Sequence, residues 1–324
     1  MKQNKTLIIG SVMVGLLLLI TILGPYLPFV DADLKETKFF KTENGAVLPP
    51  PLPPSEEFIL GTDRKGRDYL SILIIGAKET LVTILFLTFV CFSLGTLFGI
   101  FASKNKFTNT ILVAWNQLFS RVPNLFVIIL ITNIPFFIFS PNRYYYFIAL
   151  IAILEIGKIA DIFKQQLDVY NKSAIVESGV VVGNSSFTML KRYYLPHLTP
   201  QLILSFVLNF GKILFLVGQL GIFSIFLAQE FIQLPGAPGL PTSYQINNTS
   251  LIWTTHLSNI IRDINVAPWI PFGAAALITY TIMAFNLLGE GLRVYFQNRT
   301  KSSKKKIETK STMVEAEEQK VVGL

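Results

Sequence analysis

An all-α, polytopic membrane fold with six crossing helices is what this sequence predicts, on three observations. Half of the 324 residues are hydrophobic (51%), 27 of the residues are Phe, and the mean hydropathy is positive at +0.52. A soluble fold has no use for so large an apolar excess. Six segments stay apolar for about 20 residues, the length that crosses a hydrocarbon core of ~30 Å as helix. They are unbroken runs, such as VGLLLLITIL at 14–23, without the alternation of an outer-membrane barrel. Lipid offers the backbone no hydrogen-bond partners, so runs of this kind read as helices.

The first predicted span, 6–27, follows Lys2 and Lys5. Its start resembles a signal peptide, but it ends in Gly24-Pro25-Tyr26 with no small-x-small cleavage site. It therefore reads as an uncleaved anchor, residues 1–30. A loop at 31–75 follows, with the Pro-rich connector PPPLPP at 49–54 and the turn-rich, charged segment LGTDRKGRD at 60–68. A transmembrane domain at 76–293 holds the other five spans, predicted at 77–102, 110–139, 145–163, 202–227 and 269–292. Between the fourth and fifth lies a polar loop, 171–197; between the fifth and sixth lies an insert, 229–266, with LPGAPGLP at 234–241. The tail, 294–324, is basic and then acidic and reads as a disordered extension.

Lys and Arg set the expected orientation. With the amino terminus inside, the cytoplasmic segments include Lys104 and Lys106, the end of the fourth span and the loop after it with Lys158, Lys164, Lys172, Lys191 and Arg192, and the tail with Arg299, Lys301 and Lys304 to Lys306. The 31–75 loop also carries basic residues, but it is long and holds eight acidic ones. The formal charge of +8 is thus a topology signal and calls for no nucleic acid.

Catalytic options are few. The single cysteine, Cys91, sits in an apolar span and supports no disulfide framework. The two histidines, His197 and His256, fall on opposite sides of the membrane in this topology, so no two-histidine metal site is expected. No GxxxxGK[ST] loop is present to cradle ATP. An ATP-driven process would need its ATPase on another polypeptide.

The polar loop carries the most specific pattern. Glu177-Ser178-Gly179, three residues, Gly183, nine residues and then Tyr193-Tyr194-Leu195-Pro196 resembles the loop of bacterial ABC-importer permease subunits, EAA-x3-G-x9-I-x-L-P. The spacings agree; Ser178 and Gly179 stand where the pattern has alanines, and Tyr193 where it has isoleucine. Residues 173–182 read as a short helix offering Ile175, Val176, Val180 and Val181 to a partner, Gly183 as its stop, and Pro196 as a bar to a helix running on into the fifth span. The bland alternative is a solvated loop punctuated by Gly and Pro.

Two further segments resemble the C-type subunit of dipeptide, oligopeptide and nickel importers. One is LGTDRKGRDYLSILIIGAKETL at 60–81, with Gly61, Thr62, Asp63, Gly66, Arg67 and Asp68; the other is FNLLGEGLR at 285–293, with Asn286, Gly289 and Gly291. The resemblance implies a permease subunit in the bacterial inner membrane with both termini cytoplasmic, and no cofactor on this chain. It further implies a homologous B-type permease partner, two ATPase subunits that bind ATP and Mg, and an extracytoplasmic solute-binding protein delivering a peptide. In that family the loop is a coupling helix seated on an ATPase, and Glu177 would offer it a carboxylate. The Gly-rich element that follows the family's fifth span is missing here, which leaves nickel or another small solute open as substrate.

Ionisable residues inside the spans complete the candidates. Glu155 and Lys212 lie near mid-depth of the fourth and fifth spans and are expected to form an ion pair, either structural or in contact with substrate. Arg121, near Asn116, Gln117 and Asn124, either lines a path or snorkels to headgroups, and Asn209 and Gln219 are weaker lining candidates. A secondary transporter or channel working without ATP is the rival reading, carried by Glu155 and Lys212. An intramembrane enzyme has no catalytic constellation to support it.

Overall fold

The computed structural model describes residues 4–41, 47–234 and 243–322. Lys2 and most of the Pro-Gly run at 234–241 lie outside these residues. Helix α1, Lys5–Leu23, starts at Asn4, whose side chain accepts from Leu7 N at 3.3 Å, and ends in a 3-10 turn at Gly24–Tyr26. Two short strands, β1 at Phe40–Lys41 and β2 at Val47–Leu48, pair antiparallel in the connecting loop. The loop then leads into α2, Tyr69–Lys104, a 36-residue helix capped by Asp68.

Next come α3, Lys106–Ser120, α4, Asn124–Thr132, and α5, Pro135–Phe139. They replace the single third span expected at 110–139. Pro123 and Pro135 each lack an amide hydrogen and disfavour helical backbone in the residue before them, and α3 and α4 meet at 84°. Helix α6 runs over Arg143–Asn171, α7 over Ala174–Val181 and α8 over Ser186–Thr188. A π-helical stretch at Met189–Tyr194 connects α8 to α9, Leu195–Ile222. Strands β3, Gln229–Leu234, and β4, Ser243–Asn248, form an antiparallel hairpin with Gln229 opposite Asn248. A 3-10 turn at Trp253–Leu257, then α10, Ile260–Val266, and α11, Trp269–Val322, complete the chain.

The chain is a multi-pass membrane protein. Among the described residues four helices, α1, α2, α9 with its π-helical approach, and the first part of α11, are long and apolar enough to cross a bilayer, or five segments if the bent pair α3–α4 counts as one. The predicted fourth span lies within α6, which has the length, at 29 residues, but places Glu155, Lys158 and Asp161 close together in its middle. Large apolar side chains such as Ile9, Val12, Leu16, Leu19 and Ile22 cover the outside of α1, as expected of a helix whose solvent is lipid.

Two further expectations change. The predicted disordered tail is helical through Val322; no Gly or Pro occurs between 292 and 322 to stop it, and the run is rich in Lys, Glu and Gln. Part of the 229–266 insert, expected to be external, packs into the helix bundle. Ile252, Trp253, Thr254, Thr255 and Leu257 are buried between α2, α9 and α11. Trp253 Nε1 donates to Leu73 O at 2.8 Å, and its amide donates to Thr80 Oγ1 at 3.0 Å, so this buried turn leaves neither group unpaired.

Close helix approach through small residues holds the bundle. Gly95 and Gly99 let α2 lie against Ile159, Ala160 and Phe163 of α6, a small-xxx-small contact. Gly10 of α1 faces the Leu287–Leu288 backbone, and Gly291 of α11 faces Leu7, each so closely that an added Cβ would stand 2.4 Å from main-chain atoms. Asn4 Nδ2 donates to Gly291 O at 2.5 Å and closes that end of the α1–α11 pair. Gly15, by contrast, has nothing within 4 Å of an added Cβ. Gly291→Ala should therefore destabilise the protein by about 1–3 kcal/mol, whereas Gly15→Ala should be neutral or slightly stabilising, since alanine favours helix. Thermal unfolding in detergent checks the pair.

Candidate functional site

The polar loop forms a compact hook on the end of α6. Helix α7 starts where Val176 N and Glu177 N donate to Ser173 O, at 3.0 and 3.1 Å, and stops where Gly183 N donates to Val180 O at 2.9 Å. Gly183 has φ +77°, and an added Cβ there would meet nothing, so backbone conformation alone selects the glycine. Asn184 continues the stop, its Nδ2 donating to Gly179 O at 3.0 Å. Tyr170, Val176 and Met189 form a small core beneath the loop, with Tyr193 and Tyr194 packed against it. Tyr170 OH donates to Tyr193 O at 2.9 Å, Tyr194 OH donates to Asn171 Oδ1 at 2.6 Å, and the rings of Tyr170 and His197 stack at 4.0 Å.

Two departures from the loop pattern explain each other. A Cβ added at Gly179 would lie 2.9 Å from Met189 Sδ and 3.0 Å from ring carbons of Tyr193. A small residue at 179 makes room for the large one at 193, where the resembled pattern has alanine and isoleucine. Glu177 and Ser178 are exposed, and so are Ile175, Val180, Val181 (82%), Val182 (77%) and Phe187 (72%), an outward apolar patch. Val176, expected on the same patch, is buried inward at 3%. Leu195 and Pro196 open α9, and Pro196 does not interrupt the helix: the π-helical turn before it and its place in the first turn of α9, where a missing amide hydrogen costs nothing, accommodate it.

At the other end of the bundle, LGTDRKGRD folds into a tight turn around Asp63. Asp63 Oδ1 accepts from the amides of Lys65 and Arg67, each at 2.9 Å, and Oδ2 accepts from Arg67 Nε at 2.8 Å and Nη2 at 2.6 Å. Gly61 and Gly66 have φ +71° and +76°, and an added Cβ would meet Leu52 O and Thr37 O respectively. Thr62 pairs with Leu52 of the Pro-rich connector and, through its carbonyl, accepts from Trp269 Nε1 at 3.0 Å. Asp68 caps α2 by accepting from Ser71 N at 2.8 Å. Arg64 makes a two-pronged ion pair with the buried Asp263 of α10 and donates to Ser258 O at 3.2 Å. His256 packs edge-on to Tyr69 at 5.5 Å. Its Nε2 is buried without a partner, and this burial pushes the imidazole down to about 4.

Midway between the ends the expected ion pair is not formed. Asn124 Nδ2 donates to Glu155 Oε1 at 2.5 Å, Lys158 Nζ stands 3.7 Å from that same oxygen, and Lys212 is exposed. Helices α6 and α9 each pack on α2 rather than on one another, which spacing along a span does not reveal. Arg121 is exposed at the α3–α4 break, Asn116 Nδ2 donates to Gly157 O at 3.2 Å, and Asn124 and Asn209 are buried at 5% and 8%. Asn286 is exposed, while Gly289 packs on Leu208 of α9. Sequence reading missed Arg143, buried at 5%, which donates to Phe226 O at 3.1 Å and Phe137 O at 3.0 Å and so joins α6 to the ends of α9 and α5. Its place outside the predicted spans concealed it. Among the described residues no cluster of His, Cys, Asp or Glu is placed to hold a metal.

No protein-family model matches the chain. Curated relatives do. The oligopeptide transport system permease protein OppC of Haemophilus influenzae is 25% identical over 234 residues, 72% of this chain and 68% of the relative. The glutathione transport system permease protein GsiD of Pectobacterium atrosepticum is 24% identical over 250 residues, 77% and 75% of the two chains. The dipeptide transport system permease protein DppC of Haemophilus influenzae is 24% identical over 297 residues, 90% of each. The homologues are thus permease proteins of peptide-transport systems, in agreement with the resemblance carried by the three motifs.

Two outcomes test this geometry. Gly179→Ala should weaken the loop by about 1 kcal/mol, and adding Tyr193→Ile should recover part of it, the Met189 contact remaining, a coupling that a double-mutant cycle in thermal stability reads. Between about pH 6.5 and pH 4 the unfolded chain takes up a proton at His256 that the fold refuses. Stability therefore rises with pH through this window and falls on acidification, by up to about 1.4 kcal/mol per pH unit from this group. His256→Phe should flatten the melting temperature against pH in that range.

Proposed function

We propose that this chain is a transmembrane permease subunit of an ATP-driven peptide importer, with its hook at 171–197 seated on a separate ATPase. The observation that carries the reading is the hook itself. An apolar patch from Ile175 to Phe187 faces outward beside Glu177, on a loop bolted to α6 by Tyr170 and Tyr194 and continuous with α9. An exposed patch of this kind on a rigid support is a docking surface, and a push on it reaches two membrane helices directly. Homology to oligopeptide, dipeptide and glutathione permeases supports peptides as the substrate class.

In this reading the hook and both termini are cytoplasmic in a bacterial inner membrane, and the Asp63 turn, the hairpin and α10 are external. A B-type permease partner supplies the other half of the path, an extracytoplasmic binding protein delivers the peptide, and two ATPase subunits bind ATP and Mg. The chain itself carries no cofactor and performs no covalent chemistry. ATP binding closes the ATPase pair, moves the hook, and switches the helices between inward-open and outward-open arrangements.

Transport into proteoliposomes carrying the whole assembly is the test. Uptake should continue with the proton gradient collapsed and stop with vanadate; uptake that follows the gradient and ignores vanadate would establish the secondary-transport reading instead. Val181→Asp, which places a charge in the docking patch, should lower ATP-driven uptake by on the order of tenfold or more while leaving the melting temperature unchanged, as expected of a contact outside the fold's own core.

A further inference from the structure

The open face of α9 carries polar groups that neither the hook nor the Asp63 turn uses. Gln201, Ser205, Lys212 and Gln219 are spaced four, seven and seven residues apart, which a helix of 3.6 residues per turn brings within roughly 20° of Lys212 on one face. From Gln201 to Gln219 this line rises ~27 Å, nearly the ~30 Å thickness of the hydrocarbon core. Lys212 is exposed and the other three are partly exposed. Among the described residues no side chain of the four makes a hydrogen bond or a salt bridge. Phe210, Ile213, Leu214 and Val217 occupy the packed side of the same helix. Asn286 of α11, itself exposed, borders the open face, with Oδ1 3.5 Å from where a Cβ on Gly211 would stand.

Lys212 lies ten residues from the Ile222 end of α9, ~15 Å along the axis, and an ammonium facing lipid at that depth is costly. An acidic residue on a neighbouring helix would answer Lys212 alone and would leave Gln201, Ser205 and Gln219 against lipid over the whole thickness. A water-filled path answers all four. Glu155 is not available to neutralise the lysine, because Asn124 and Lys158 hold its carboxylate.

We infer that this face lines the translocation path and that Lys212 binds the free terminal carboxylate of a peptide in transit. A single ammonium set between neutral polar side chains selects an anionic group and holds it by a charge-assisted hydrogen bond. The inference rests on the peptide-import reading above.

The test uses the transporter assembled with its native partners in proteoliposomes, with uptake normalised to assembled complex. The probes are one tripeptide with a free carboxyl terminus and the same tripeptide as its carboxamide. Lys212→Gln should lower the acid-to-amide uptake ratio by about tenfold or more relative to wild type, the effect of losing one charge-assisted hydrogen bond, with amide uptake retained. Lys212→Arg should keep the ratio near wild type. Selection by the binding protein is common to all variants and cancels in the comparison. Equal loss of both peptides, no change in either, or failure of the Lys212→Gln chain to assemble would overturn the role of Lys212 while peptide import stands. Wild-type vesicles that import neither peptide would overturn the import reading and this inference with it. Ser205→Cys in a Cys91→Ala background tests the path itself: the thiol should react with a membrane-impermeant methanethiosulfonate reagent, and a thiol that stays unreactive in the assembled transporter would sink the proposal.

Discussion

Asp63 accepts four hydrogen bonds from within its own turn, and much of the bundle's order at that end depends on them. With the turn closed, Thr62 presents its carbonyl to Trp269 at the start of α11, Asp68 caps α2, and Arg64 reaches Asp263 in α10. Segments far apart in sequence are thereby set in register by one carboxylate. The physical reason for so much local bonding is that an Asp side chain satisfied by two amides and an arginine leaves little of its charge uncompensated. Gly61 and Gly66 serve the same end, because the turn needs positive φ and lies too close to Leu52 and Thr37 for any Cβ.

Below that turn, association cannot draw on the hydrophobic effect between helices, since lipid is as apolar as leucine. Close approach takes its place. Glycines at 95 and 99 seat α2 on α6, and those at 10, 289 and 291 seat α1, α9 and α11 on one another. The buried Trp253 turn fills the space that these contacts leave at the Asp63 end, with both of its nitrogens bonded to α2. At the far end the hook is fixed to α6 by two tyrosine hydroxyls and runs without a break into α9. In the proposed importer, movement of the hook would be passed to these two helices first.

Polar groups at membrane depth divide into two kinds. Glu155, Asn116 and Asn124 are bonded to neighbouring helices and stiffen the α3–α4 break, where Pro123 has already removed the continuous backbone ladder. Lys212 and its polar line on α9 are bonded to nothing among the described residues. The first kind holds the protein together; the second is left for something outside the chain.

Sequence alone determined the membrane class, the approximate place of most long helices, and three motifs of which two are turns. Composition and run length are sufficient for the first two, because lipid imposes one rule on every spanning segment. The spacing from Glu177 to Pro196 located the hook, although the exchange of bulk between Gly179 and Tyr193 became visible only when the two were seen in contact. Tertiary structure decided which way each side chain faces. It separated Glu155 from Lys212, turned Val176 inward, buried Trp253 in what reads as an external insert, and bent the third span at Pro123. Apolar content is a property of the residues, whereas orientation around a helix axis is fixed by the packing of neighbours, and where a span is apolar on most sides the sequence carries little record of it.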